Sequence, residues 1–213
     1  MASSIEAQIK HQFAKIFSSK EWIVFKLLSE HYLRTATKLR KRDIDISENY
    51  QLLARNAQKR LFIGIGCELL VKAFFLKQGY GINKFAPQQR RKRSFAQLYK
   101  INDVRPDLLV ADETISFNKT LDYLRKIPPM VNITQQEYQQ IMRGFKIAKV
   151  FRNKEGHVAT LWHTFDPTNY TDIEKALVLF YRIGFNELLK IRFSVERNEP
   201  HCFEISPLPN NEA

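Results

Sequence analysis

The chain has few of the residues that mark several common protein classes. Only two cysteines occur in 213 residues, Cys67 and Cys202, so no disulfide framework is implied and a reducing compartment fits. Seven glycines are few for a protein of many short strands and turns, which points to long helices. The most apolar run, Leu61–Leu76, is interrupted by Glu68 and Lys72 and is too short to span a bilayer. The N-terminus lacks the basic start, apolar core and small-residue cleavage site of a signal peptide, so the expected location is cytoplasmic, with no membrane partner. The five histidines, His11, His31, His157, His163 and His201, are scattered, and no Cys or His-Glu spacing matches a zinc site. No metal or other cofactor is therefore expected. A phosphate-cradling loop is also missing: Gly64-Ile65-Gly66 sits inside an apolar helix, where it permits close helix packing.

Acid is scarce relative to base. There are 34 lysines and arginines against 22 acidic residues, a formal charge of +12, which favours a polyanionic partner, nucleic acid before anionic membrane. The densest positive stretch is Arg90-Arg91-Lys92-Arg93, a candidate phosphate contact within an irregular segment, 79–113. A second basic cluster, 38–42, reads as a solvated helix end.

The apolar spacing predicts an all-α bundle of about five to seven helices in a single domain, 1–198, followed by a frayed tail, 199–213. Ile5, Ile9, Phe13 and Ile16 mark a first helix. Trp22, Phe25, Leu28, Tyr32 and Leu39 mark a second. Ser47 can cap a third, which ends at Gly79 and is apolar almost all round in its second half, as a central helix would be. A short helix is expected around 94–100. Another spans 116–126, with Phe117, Leu121 and Leu124 inward, and Pro128-Pro129 stops it. Thr134 and Glu137 form a capping box for the next. Asp166–Asn169 reads as a turn, and Thr171 with Glu174 as the cap of a last helix carrying Ile173, Leu177, Phe180, Gly184, Leu188 and Ile191 on one face.

The stretch richest in chemistry is Phe145–Trp162. Tyr138, Ile141, Phe145, Ala148 and Arg152 share one helical face, so Arg152 ends a stripe otherwise turned to the core. A permanent charge there needs a partner or a role. Five residues on stands His157, which an unbroken helix would place about 140° away from Arg152. Gly156 between them can supply the backbone conformation that lets the two converge. An imidazole can move a proton on or off an oxygen, and a guanidinium can hold a phosphate bidentately, which together suit phosphodiester chemistry. It is the only Arg-x4-His pair in the chain. Glu68 and Lys72, one turn apart, read as an internal ion pair; alternatively Glu68 orients Arg152 or His157 across the core. Taken alone, Arg152 reads first as the cation of a buried structural pair with a carboxylate such as Glu68, and His157 as a helix-end histidine.

The Arg-Asn-Lys-Glu-Gly-His run at 152–157 resembles the Arg-x(4–6)-His signature of HEPN domains, including the polar residue after the Arg. The run Gly-Cys-Glu-Leu-Leu-Val-Lys-Ala at 66–73 is similar to the second core helix of that superfamily. The resemblance implies a HEPN-like up-and-down helical bundle and a metal-independent endoribonuclease of the toxin or phage-defence kind. Arg152 and His157 would be its catalytic pair, with Asn153, Glu155, Glu68 and Lys72 in support. It further implies an RNA substrate, a homodimer with a composite active site and a cognate antitoxin. Toxins paired with a minimal nucleotidyltransferase often carry a Tyr two residues after the His; Ala159 stands there, so control through that tyrosine is not implied. The competing class is a non-catalytic helical module that binds RNA or a partner protein.

Overall fold

In the computed structural model, the described residues are 4, 5, 7–9, 21–39, 49–86, 98–155, 167–193 and 202–209. They form a mostly helical protein with two small antiparallel hairpins, in keeping with the helical bundle expected from the sequence. The helices are α1 (Trp22–Lys38), α2 (Asn49–Lys77), α3 (Phe117–Tyr123), α4 (Gln135–Glu155) and α5 (Pro167–Phe185). Residues 5 and 7–9 are also helical, with the Ser4 hydroxyl accepting the Ala7 N–H at 3.2 Å. The cap at Ser47 and most of the 94–100 helix lie outside the described residues.

Helix α2 is central, as its all-round apolar second half predicts. Ile63, Cys67, Leu70, Val71, Ala73, Phe74 and Phe75 are fully buried, and α2 packs against α1, α3, α4 and α5. Burial drives the Cys67 thiol pKa far above its ordinary value, so this cysteine acts as a small hydrophobe. Gly79 ends the helix at φ +76, with the Gly79 N–H on Leu76 and the Tyr80 N–H on Phe75, the paired bonds of a Schellman cap. Phe74 of α2, Phe145 of α4 and Phe180 of α5 meet edge-to-face, with ring centroids 5.3 Å (Phe74–Phe180) and 5.0 Å (Phe145–Phe180) apart.

Two glycines set how closely α2 is approached, and from which sides. Two residues apart on a helix means about 200° of rotation, so Gly64 and Gly66 face opposite ways. A Cβ on Gly66 would lie 2.8 Å from Leu33 Cγ of α1. One on Gly64 would lie 2.6 Å from Arg152 Cβ of α4. The reading of this pair as a packing device is borne out. It also corrects the expected face of α1: the buried residues are Phe25, Ser29, Leu33, Ala36 and Thr37, whereas Leu28 is exposed. Ser29 donates to the Gly66 carbonyl at 2.7 Å, and that close approach turns the small residues of α1 inward.

Three further expectations are corrected. Pro167 does not make a turn but opens α5, a position where its missing N–H costs nothing. Helix α5 does not reach Leu188 and Ile191. It stops at Asn186, held at φ +59, and Glu187–Arg192 is strand β3, with Leu189 and Ile191 inward. The tail expected to fray carries strand β4, Cys202–Pro207, paired with β3 from Glu187↔Pro207 to Arg192↔Cys202. Within the irregular 79–113 segment, β1 (Asn83–Phe85) pairs with β2 (Leu109–Thr114).

Phe193, at the end of the β3 hairpin arm, is fastened from two helices. Its N–H donates to Glu174 of α5 at 2.5 Å and its carbonyl accepts from Lys59 of α2. Burial lowers the Lys59 ammonium to about 8, with Glu174 opposing the shift. Between that value and 10.5 the unfolded chain holds a proton that the folded chain has lost, so stability rises with pH across this window. Urea titrations at pH 7.5 and pH 10 should therefore show wild type gaining about 2 kcal/mol relative to Lys59→Met. An equal response in the two proteins would remove Lys59 as the source.

Candidate functional site

Gly64, Glu68 and Lys72 recur at intervals of four, so they form one line along α2. The last turns of α4 lie against that line. Gly64 admits the α4 backbone itself, since its absent Cβ would meet the Ala148 carbonyl oxygen and the Arg152 nitrogen, both at 2.7 Å. Arg152 can then reach Glu68 one turn further along α2, with Nε 2.5 Å from Oε2. The other carboxylate oxygen of Glu68 is 2.7 Å from Lys72 Nζ, and Lys72 also donates to Thr114 Oγ1 of β2 at 2.8 Å.

The exposure of the three charges differs, and this sets what each can do. The side chains of Glu68 and Lys72 are 7 % and 8 % exposed, while that of Arg152 is 43 % exposed. The carboxylate is thus a buried anchor shared by two cations. Burial pushes the Lys72 ammonium pKa down, the Glu68 carboxylate holds it up, and Arg152 and Lys84 push it down again. Lys84 is itself paired with Glu113 across β1 and β2 at 2.9 Å. Arg152 spends Nε on Glu68 and one η nitrogen on Asn153 Oδ1, a long bond of 3.3 Å. Much of its guanidinium therefore faces solvent at the end of α4, where it can meet an anion.

Comparison of the chain with family models, curated proteins and solved structures finds no match. The site must be judged on its own geometry. Of the residues singled out in the sequence, Arg152, Asn153, Glu68 and Lys72 come together. Both proposed pairings of Glu68, with Lys72 and with Arg152, are present at once. The backbone of Glu155 is helical and its side chain lies outside the described set. His157 and the Arg90, Arg91, Lys92 and Arg93 run also lie outside the described residues. Among the described residues no group of three His, Cys, Asp or Glu side chains could hold a metal ion, and no helix is long and apolar enough to cross a membrane.

Sequence reasoning did not find Thr114. It stands 42 residues from Lys72, at the end of a three-rung hairpin, and no local spacing marks it. Nor did it find the bond from Lys149 of α4 to Asn118 of α3, at 2.8 Å, which ties the site's helix to the helix that follows β2.

Proposed function

We propose that the chain is a metal-independent endoribonuclease in which Arg152 and His157 act on the phosphodiester. The observation that carries this reading is a half-exposed guanidinium fixed from behind by a buried carboxylate, in the Arg-x4-His run that resembles the HEPN signature. A cation positioned before substrate arrives costs no reorganisation when charge builds on the phosphoryl oxygens. In the reaction a ribose 2′-oxygen attacks the adjacent phosphorus and the bond to the 5′-oxygen breaks. His157 moves a proton, taken from the 2′-hydroxyl or given to the leaving oxygen, and Arg152 holds the phosphoryl oxygens. The products are a 2′,3′-cyclic phosphate and a 5′-hydroxyl. The net charge of +12 suits an RNA substrate, to which Arg90–Arg93 contribute phosphate contacts. The resemblance adds a cytoplasmic toxin or phage-defence role, a homodimer with a composite cleft and an antitoxin partner.

The second reading, a non-catalytic helical module, is favoured by one fact: Glu68, Lys72 and Arg152 satisfy one another without any ligand. Incubation with mixed cellular RNA in excess EDTA separates the two. Wild type is expected to leave cyclic-phosphate ends and His157→Ala none, with both proteins folded and both binding RNA. Equal cleavage by the two proteins would remove His157 from the chemistry. RNA binding without cleavage, weakened by neutralising Arg90–Arg93 and indifferent to His157→Ala, would establish the module.

A further inference from the structure

Helix α4 carries five cations after its first turn, and four of them follow one row. At 100° per residue, Arg143, Lys146, Lys149 and Arg152 each step about 60° round the helix in one slanting row, with Asn153 between Lys146 and Lys149 in projection and Lys154 beside Arg143. The first of the row is neutralised: Arg143 Nε is 2.6 Å from the Asp172 carboxylate of α5. The next two are not. Lys149 donates to the neutral Asn118 amide oxygen, and among the described residues neither Lys146 nor Lys149 forms an ion pair. Asp122, the acid of the adjoining α3, acts on Tyr138 at the opposite end of α4. The line ends at Arg152, the one member already tied to a carboxylate.

We infer that this edge of α4, Lys146–Lys149–Arg152 with Asn153 beside it, is a track for the phosphates of a single RNA strand leading into the site. The inference rests on the reading of the site as one that acts on RNA. Successive cations rise by about 4.5 Å and turn by about 60° along the helix, so they form a slanting line that one backbone can follow. A membrane-seeking helix would set a band of apolar residues beside its cations. Here the exposed aliphatic of the α4 described face is Val150 alone. The larger exposed aliphatic group, Ile23, Val24, Leu27 and Leu28, belongs to α1, on the other side of α2.

The test is a salt titration of binding to a labelled single-stranded oligouridylate, in a His157→Ala background so that nothing is cut. Lys146→Gln/Lys149→Gln is compared with Lys38→Gln/Lys175→Gln, which removes the same charge elsewhere. Two lost contacts should flatten the log–log salt slope by about 1.4 and weaken low-salt binding roughly tenfold or more. The control should keep its slope. Equal losses in both double variants would overturn the track and leave only diffuse attraction, while cleavage by the His157-intact protein would still stand. A flattened slope with no cleavage by wild type would keep the track and remove the nuclease reading. Binding to anionic vesicles with none to RNA would overturn the track.

Discussion

Replacing Glu68 by alanine is expected to destabilise the protein by about 3–5 kcal/mol, a fall in Tm of roughly 6–20 °C for a chain of this size. Most of the loss comes from Lys72. Its ammonium is almost wholly buried, and its remaining contact in the site, Thr114 Oγ1 at 2.8 Å, is a neutral acceptor that cannot balance a charge. Arg152 contributes less, because a side chain 43 % exposed recovers water when its partner is removed. The deficit should also depend on pH. Lys72 already has a lowered pKa from burial, and without Glu68 it falls further. Above the folded pKa the unfolded chain binds more protons than the folded one, so stability rises with pH. The Glu68→Ala deficit is therefore largest near neutrality and shrinks as the pH approaches 10. Denaturant titration at two pH values checks both claims. The double variant Glu68→Leu/Lys72→Met removes the stranded charge and should recover most of the stability. It leaves Arg152 without its anchor, so cleavage should stay low in a protein that folds well. Recovery of cleavage together with stability would show that the anchor serves only the fold. A loss below about 1 kcal/mol in the single variant would show that Lys72 finds solvent.

What could be read from the sequence was local or periodic. The capping box at Thr134 and Glu137 is present with both reciprocal bonds, Glu137 N–H to Thr134 Oγ1 at 3.2 Å and Thr134 N–H to Glu137 Oε2 at 3.1 Å. Phe117, Leu121 and Leu124 are buried as their spacing requires. The Glu68–Lys72 pair follows from a separation of four on a helix. The errors came where two periods fit the same residues or where the partner is distant. Leu188 and Ile191 continue the helical stripe of α5, but Leu189 and Ile191 also alternate as a strand. The choice is made by Asn186 and by β4, whose Phe203 and Ile205 pack on the core from a segment rich in proline. At the site, the sequence supplied the charges and the structure supplied their order. One carboxylate serves two cations because Gly64 admits the α4 backbone, and a strand threonine caps the far cation. That arrangement joins residues from positions 64 to 152, a span that no window of local pattern covers.

The same geometry leaves Gly64 little room for a side chain. Helix propensity alone favours alanine over glycine by about 1 kcal/mol. Against that, a Cβ at 64 would stand 2.7 Å from a backbone oxygen and a backbone nitrogen of α4, and 2.6 Å from Arg152 Cβ. None of these is the loose end of a side chain, so α2 and α4 must part. At Gly66 the nearest atoms are Leu33 Cγ and Cδ2, at 2.8 and 2.9 Å, both on a side chain, and the nearest backbone atom, the Ser29 carbonyl oxygen, is further off at 3.3 Å. Gly64→Val is accordingly expected to cost about 3 kcal/mol or more and Gly66→Ala less, about 1–2 kcal/mol, by urea unfolding. Gly64→Ala, between them, tests whether the spacing also serves the chemistry. Parting the helices lengthens the reach from Arg152 to Glu68 while leaving both residues in place. Cleavage should then fall further than folded fraction, and binding of a single-stranded RNA probe should persist, since Lys146 and Lys149 stay on their edge of α4. A Gly64→Ala protein as active and as stable as wild type would mean that the two helices can separate freely, and that the close approach at Gly64 does not hold Arg152 to its anchor.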